Sequence, residues 1–174
     1  MFNRIGLKRR LKLYKVLILN FYLVERERLV QDILERVREA KRSNNWDYIN
    51  SRSLRSRLSW YEENKSRLNF QGTDVRKAYM LLLTRFVESG ARPEELPIVY
   101  EDERRIVWRS YNWCPVLEAC KRDEFDTREV CRKGYEKSVQ ALIEKINPKL
   151  QFSRNYERIR PYAEYCEEII ELIE

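Results

Sequence analysis

The sequence contains no histidine, only four glycines and no long hydrophobic run. The lack of histidine excludes Ser-His-Asp and Cys-His catalysis, HExxH zinc sites and Cys₂His₂ zinc fingers. The glycines are scattered, which excludes a Walker A phosphate loop and a GxGxxG dinucleotide fingerprint. Any acid–base catalysis by this chain must therefore take its base from Asp or Glu.

The longest apolar stretch covers residues 16–24 and is interrupted by Asn20. It is much shorter than the roughly 20 apolar residues that a membrane-spanning helix needs. Basic residues precede it, as in a secretory signal, but the charged segment 25–28 follows where a signal would carry small residues. The sequence therefore predicts a soluble protein of the cytoplasm without a membrane span.

The length of 174 residues fits one domain and is sufficient for a sizeable core. Residues 1–67 carry 17 basic and 8 acidic side chains, whereas residues 68–174 carry 18 and 20. All four cysteines lie in the second half of the chain. We therefore expect a single domain with a basic helical half, 1–95, and a cysteine-bearing half, 96–174.

The spacing of apolar residues predicts an α+β fold that is predominantly helical. The expected helices cover residues 7–42 (as one helix or two), 44–68, 73–90, 126–146 and 161–174. A small β-hairpin is expected between the helical halves, where segments 97–100 and 104–111 flank an acidic turn. Residues 150–153 are expected to form a short extended piece.

The four cysteines, with no histidine, have the composition of a Cys₄ site for zinc or an iron–sulfur cluster. The candidate metal ligands are Cys114, Cys120, Cys131 and Cys166. The usual C-x₂₋₄-C ligand spacing is absent, and positions six apart on one helix diverge by about 120°. Cys114 and Cys120 can therefore share a metal only if Cys114 precedes its helix. Pro115 favours that arrangement, because proline suits the first helical position.

Two other interpretations of the cysteines stay open. The thiols can be buried core residues or, in a thermophile, disulfides, and the 36% share of charged residues is compatible with a thermophilic source. Alternatively, they are thiols of a substrate site. At the N-terminus of a helix, Cys114 is expected to have a lowered pKa, which makes Cys114 and secondarily Cys131 candidate nucleophiles.

The last third of the chain resembles a known family. The segments that carry the resemblance are Asn112–Cys120, Asp126–Arg132, Asn147–Phe152, Ile159–Tyr162 and Tyr165–Glu168. They are similar to the L-2-amino-thiazoline-4-carboxylic acid hydrolase-like family, which tends to show a Cys-Pro segment, a second cysteine further on and a terminal cysteine. The resemblance implies a hydrolase that opens a cyclic C–N or C–S bond in a small cysteine-derived acid. Cys114, Cys131 and Cys166 match the family's cysteines, whereas Cys120 is additional.

A hydrolase also needs a base and a group that binds the substrate's charge. Asp126 is the candidate base, and Arg128 or Arg160 is a candidate for a bidentate pair with a substrate carboxylate. The simpler interpretation is that Asp126 caps a helix and that Arg160 pairs with surface glutamates.

The basic half suggests a third hypothesis, non-specific binding of nucleic acid. The candidate nucleic-acid-binding residues are Lys8, Arg9, Arg10, Arg52, Arg55 and Arg57. Aromatic residues at positions 46, 48, 60 and 61 interleave with them, as on surfaces that track phosphates and stack bases. A solvated basic face or docking on an acidic partner explains the same charges. From the sequence, we therefore rank a cysteine-bound metal or cluster first, a hydrolase second and nucleic-acid binding third.

Overall fold

The sequence folds into helices that enclose one small antiparallel sheet. A computed structural model describes residues 4–174, with side chains from Tyr22 onward. The helices in this range are α1 (Arg4–Ser43), α2 (Asp47–Asn64), α3 (Asp74–Glu88), α4 (Pro115–Arg122), α5 (Thr127–Gly134) and α6 (Glu136–Ile143). The strands are β1 (Ile98–Glu101), β2 (Arg105–Ser110), β3 (Leu150–Asn155) and β4 (Cys166–Leu172). The predicted α+β class, predominantly helical, is confirmed.

Local signals set both ends of α3. The Thr73 hydroxyl caps α3 by accepting the backbone N–H of Arg76 at 3.3 Å, and Gly90, with φ of +92°, follows the end of that helix. The first expected helix is one continuous helix, α1. Within the range that the structure describes, no helix is both long and apolar enough to cross a membrane.

The helix expected over residues 126–146 is interrupted and forms α5 and α6. The interruption follows Gly134, where α2 approaches closely. A Cβ atom at that position would lie 3.1 Å from Ile49 Cγ2. Glycine both weakens a helix and permits this contact, because it has no side chain. The packing of α2 therefore explains a break that helical periodicity alone does not predict.

All four strands pair antiparallel in the order β1–β2–β4–β3. The expected hairpin is confirmed as β1 and β2, and the Asp102 carboxylate in its turn accepts the backbone N–H groups of Arg104 and Arg105 at 2.8 and 2.7 Å. The expected extended piece is confirmed as part of β3. Strand β4 lies between β2 and β3 and joins the hairpin to the rest of the sheet.

The prediction of a helix over residues 161–174 is wrong, because β4 occupies half of that range and the residues before it form turns and bends. Ile169, Ile170 and Ile173 have a spacing that resembles one face of a helix. In the strand, Glu168 and Ile170 instead share the buried face. A strand with one buried face normally alternates apolar and polar residues, and the charged Glu168 at a core position conceals that alternation.

Two hydrophobic clusters form the core, and each draws residues from both halves of the chain. One joins α3 and α6 to the sheet around Trp108, and the other joins α1 and α2 to α4 and α5 around Val37. Helix α1 packs against α4, and α2 packs against α6. The basic and cysteine-bearing halves are therefore interleaved in space.

Candidate functional site

A cavity of about 600 Å³ lies between the two core clusters. This volume is typical of small-molecule binding sites, which range over roughly 300–1,000 Å³. Its walls come from α1 to α6 and from β2, β3 and β4, together with the segments that follow α3, β2 and β3. Both halves of the chain are therefore needed to build it.

Three of the four cysteines line this cavity: Cys114, Cys131 and Cys166. The fourth, Cys120, is 1% exposed and packs in the core beside α1. All four are free thiols, so the disulfide alternative is not realised. The cysteines that line the cavity are the three that match the resembled family.

The three thiols reach the cavity from separate elements. Cys114 is the N-cap residue of α4, and Pro115 occupies the first turn, as predicted. Cys131 lies on α5, and Cys166 begins β4 opposite Ser110 of β2. The N-terminus of α4, helix α5 and strand β4 therefore each contribute one thiol to the lining of the cavity.

The expected lowering of the Cys114 pKa is wrong in sign. Burial raises the pKa of this thiol and outweighs the backbone N–H groups of α4, which act in the expected direction. Burial likewise raises the pKa of Cys131 above its ordinary range, although the nearby Arg154 opposes the rise. Both groups are therefore neutral thiols at neutral pH and must lose a proton before they can act as nucleophiles.

The described thiols do not fit a four-cysteine metal site. Among residues 22–174, no three or more Cys, Asp or Glu side chains are placed to bind one metal ion. Cys120 packs in the core and does not line the cavity that the other three share. Zinc or an iron–sulfur cluster thus stays a prediction from composition.

Arginine dominates the charge of the cavity. Its lining contains eight arginines and three carboxylates: Arg26, Arg36, Arg52, Arg57, Arg85, Arg92, Arg154 and Arg160, with Asp32, Glu95 and Glu168. Asp32 pairs with Arg36 and Arg52. Glu95 pairs with Arg92, and Glu168 pairs with Arg154. The other four arginines form no ion pair with any residue whose side chain is described. The lining therefore favours an anionic ligand.

A buried ion pair forms the floor of the cavity. The Glu168 carboxylate is 4% exposed and accepts hydrogen bonds from Arg154 Nε at 3.0 Å and from the Ser110 hydroxyl at 2.6 Å. Burial disfavours the charge of Arg154, but the combined effect of Glu168, Cys131 and Tyr156 outweighs burial, and the pKa of Arg154 is raised. Arg154 is therefore a cation in the interior beside a carboxylate that accepts its hydrogen bond.

The predicted base and carboxylate-binding arginines have different positions. Arg160 lines the cavity, where Nη1 donates to the carbonyls of Tyr111 and Asn112 at 3.0 and 2.9 Å and so holds the segment before Cys114. Asp126 and Arg128 do not line the cavity. The Asp126 carboxylate caps α5 by accepting the backbone N–H of Arg128 at 2.9 Å, and it also pairs with that guanidinium. These contacts favour the capping interpretation of Asp126.

Replacement of Asp126 by alanine is expected to lower the free energy of unfolding by about 1 kcal/mol, because α5 loses its cap. Asparagine, an equally good cap, is expected to restore most of this loss. The measurement is urea unfolding of both variants beside the wild type. A fully stable Asp126→Asn variant that has lost catalytic activity would return Asp126 to the role of base.

The predicted nucleic-acid surface is not continuous. Arg52 and Arg55 are exposed on α2, but Arg57 is turned inward and donates to the Ser138 hydroxyl at 3.0 Å. Of the interleaved aromatics, Trp46 is buried, and Trp60 donates to Glu88. The side chains of Lys8, Arg9 and Arg10 lie outside the described residues. Nucleic-acid binding therefore stays a prediction, from which Arg57 is removed.

Sequence reasoning did not place Arg57, Tyr135, Arg154 and Glu168 in one site, and it assigned Arg57 to nucleic-acid binding. They come from α2, the junction of α5 and α6, β3 and β4. The available signal was the pairing of β3 with β4, which sets Arg154 opposite Glu168. That signal was hidden because β4 was expected to be a helix.

Comparison of this chain with protein-family models, curated proteins and solved structures finds no match. The resemblance to the L-2-amino-thiazoline-4-carboxylic acid hydrolase-like family therefore stays a prediction from the sequence. The geometry of the cavity is the basis for the proposal that follows.

Proposed function

We propose that this protein is a cysteine-dependent hydrolase of a small cysteine-derived heterocyclic acid, with 2-aminothiazoline-4-carboxylate as the model of its substrate class. One observation carries the proposal: Cys114, Cys131 and Cys166 share a cavity whose arginines outnumber its carboxylates. The thiols supply nucleophilic sulfur, and the excess positive charge suits the acid. Free thiols also suit the reducing cytoplasm, which is the compartment we propose.

Cys114 is the proposed nucleophile, because it stands at the N-terminus of α4 and faces the cavity. Its proton passes to the basic ring nitrogen of the heterocycle, so that no histidine is needed. The sulfur then adds to the ring carbon between nitrogen and sulfur. The bond from that carbon to the ring sulfur breaks, and the departing sulfur leaves as a thiol. Water adds to the same carbon, expels Cys114 and yields an N-carbamoyl cysteine.

The test follows hydrolysis of 2-aminothiazoline-4-carboxylate by the release of a new thiol and by the mass of the product. Cys114→Ala is expected to lower kcat by about 10³-fold or more, as removal of a nucleophile does. Cys120→Ala is the matched control, because that thiol lies in the core. It is expected to keep the activity while it loses about 1 kcal/mol of stability.

Wild-type activity is also expected to rise with pH through the pKa of the ring nitrogen and then to stay level across neutral pH, because the unprotonated ring accepts the proton of Cys114 and burial raises the pKa of that thiol, which keeps it protonated. Equal activity of the Cys114 and Cys120 variants would reject the proposed nucleophile. Elemental analysis of the same preparation tests the metal prediction. If the preparation contains one zinc per chain, or iron with sulfide, and all four thiols are protected, the hydrolase proposal is rejected in favour of a metal-binding protein.

A further inference from the structure

Three side chains on one wall of the cavity have hydrogen-bonding capacity that the protein leaves unused. Arg57 of α2 is half-buried, and its side chain has Ser138 as its sole hydrogen-bond partner within residues 22–174. Arg154 Nη1 and the Tyr135 hydroxyl are buried, and neither has a partner among the described side chains and backbone. All three residues line the cavity.

These groups are close enough to act on one another. Arg154 and Tyr135 both influence the ionisation of Arg57. Burial, and after it the positive charges of Arg85 and Arg154, lower the pKa of Arg57 to about 10. Glu168 carries one negative charge against the two positive charges of Arg57 and Arg154, and its hydrogen bonds go to Arg154 Nε and to Ser110 rather than to Arg57.

Buried donors without acceptors and neighbouring cations without a counter-ion are both unfavourable in a folded protein. A carboxylate relieves both, because its two oxygens accept up to four hydrogen bonds and it carries the missing negative charge. Guanidinium groups match a carboxylate in shape and bind it with two parallel hydrogen bonds. A ligand carboxylate is therefore the group that this wall lacks.

We infer that Arg57, Arg154 and Tyr135 form the subsite for the carboxylate of the substrate. The inference rests on the proposed function for the identity of the ligand, and it replaces Arg128 with residues that line the cavity. The positive charge of Arg154 is close enough to oppose the rise in the pKa of the Cys131 thiol, so this subsite adjoins the cysteines of the cavity. A heterocycle whose acid group is held here has its ring directed towards the cysteines.

The test is calorimetric binding of thiazolidine-4-carboxylate, a saturated ring acid, to the full chain. Its neutral carboxamide serves as the matched ligand. The carboxylate is expected to bind at least about 10-fold more tightly than the carboxamide, and Arg57→Gln is expected to remove a similar factor. Tyr135→Phe is expected to weaken binding by a smaller factor. Arg55→Gln, at an exposed arginine of the same helix that does not line the cavity, is the control and is expected to leave affinity unchanged.

The possible results separate this subsite from the proposed reaction. Unchanged affinity in a folded Arg57→Gln variant, or no binding of the carboxylate to the wild type, overturns the subsite. Inorganic phosphate that binds more tightly than the carboxylate overturns the assignment to a carboxylate. Arginine-dependent binding without hydrolysis of the aminothiazoline acid supports the subsite and rejects the reaction. Thermal unfolding is the control for folding of the Arg57→Gln variant. The variant is expected to be folded, because the substitution removes a charge that burial disfavours.

Discussion

Replacement of Glu168 by alanine is expected to lower the free energy of unfolding by about 3–5 kcal/mol. The carboxylate is 4% exposed and receives hydrogen bonds from Arg154 and Ser110. Its removal leaves the guanidinium in the interior without its counter-ion and leaves the Ser110 hydroxyl without its acceptor. An uncompensated buried charge is among the most destabilising changes that one substitution can make.

Urea unfolding followed by tryptophan fluorescence measures this loss. Glu39→Ala provides a control, because Glu39 pairs with Arg42 on the exposed surface of α1. The Glu39→Ala variant is expected to lose at most about 1 kcal/mol of the free energy of unfolding. The double variant Glu168→Met, Arg154→Met is expected to recover much of the stability, since it removes both buried charges. A Glu168→Ala variant as stable as Glu39→Ala would contradict the buried ion pair.

Replacement of Trp108 by alanine is expected to lower the free energy of unfolding by a similar amount, about 3–5 kcal/mol. Trp108 is 1% exposed at the centre of β2. Its ring meets Tyr79 edge-on at 5.5 Å between centroids and lies 6.2 Å from Phe152. Truncation therefore removes contacts with α3 and β3 together and leaves a large cavity between helix and sheet.

The same unfolding measurement tests this second loss. Trp108→Phe is expected to cost clearly less, because it keeps a ring in place and removes an indole N–H that has no partner among the described residues. Tyr48→Ala, at a residue that is 63% exposed, is expected to change stability by less than about 0.5 kcal/mol. A Trp108→Ala variant as stable as Tyr48→Ala would place Trp108 outside the core.

The sequence predicts well those features that depend on neighbouring residues. Thr73 caps α3, Pro115 opens α4 behind Cys114, and Asp102 closes the hairpin, because each acts on backbone groups within a few positions. These signals do not depend on the tertiary fold.

The remainder of the site depends on contacts between distant parts of the chain. Arg57 looks like a surface cation on α2 until α6 supplies Ser138 beside it. Arg154 looks like the partner of a nearby surface glutamate until β4 pairs with β3 and sets Glu168 opposite it. Charge patterns alone do not distinguish an arginine in a cavity from one in solvent. This is why Arg128 was a candidate and Arg154 was not.

The central place of β4 in the sheet bears on the order of events during synthesis. The hairpin of β1 and β2 can form early, but β3 has no strand to pair with until Leu172 has been made. Cys166 and Glu168, two residues of the cavity wall, arrive with that same strand. On the ribosome, the thiols and cations of the preceding elements are therefore made before they are assembled, and the wall of the cavity is completed only when β4 pairs with its two neighbours.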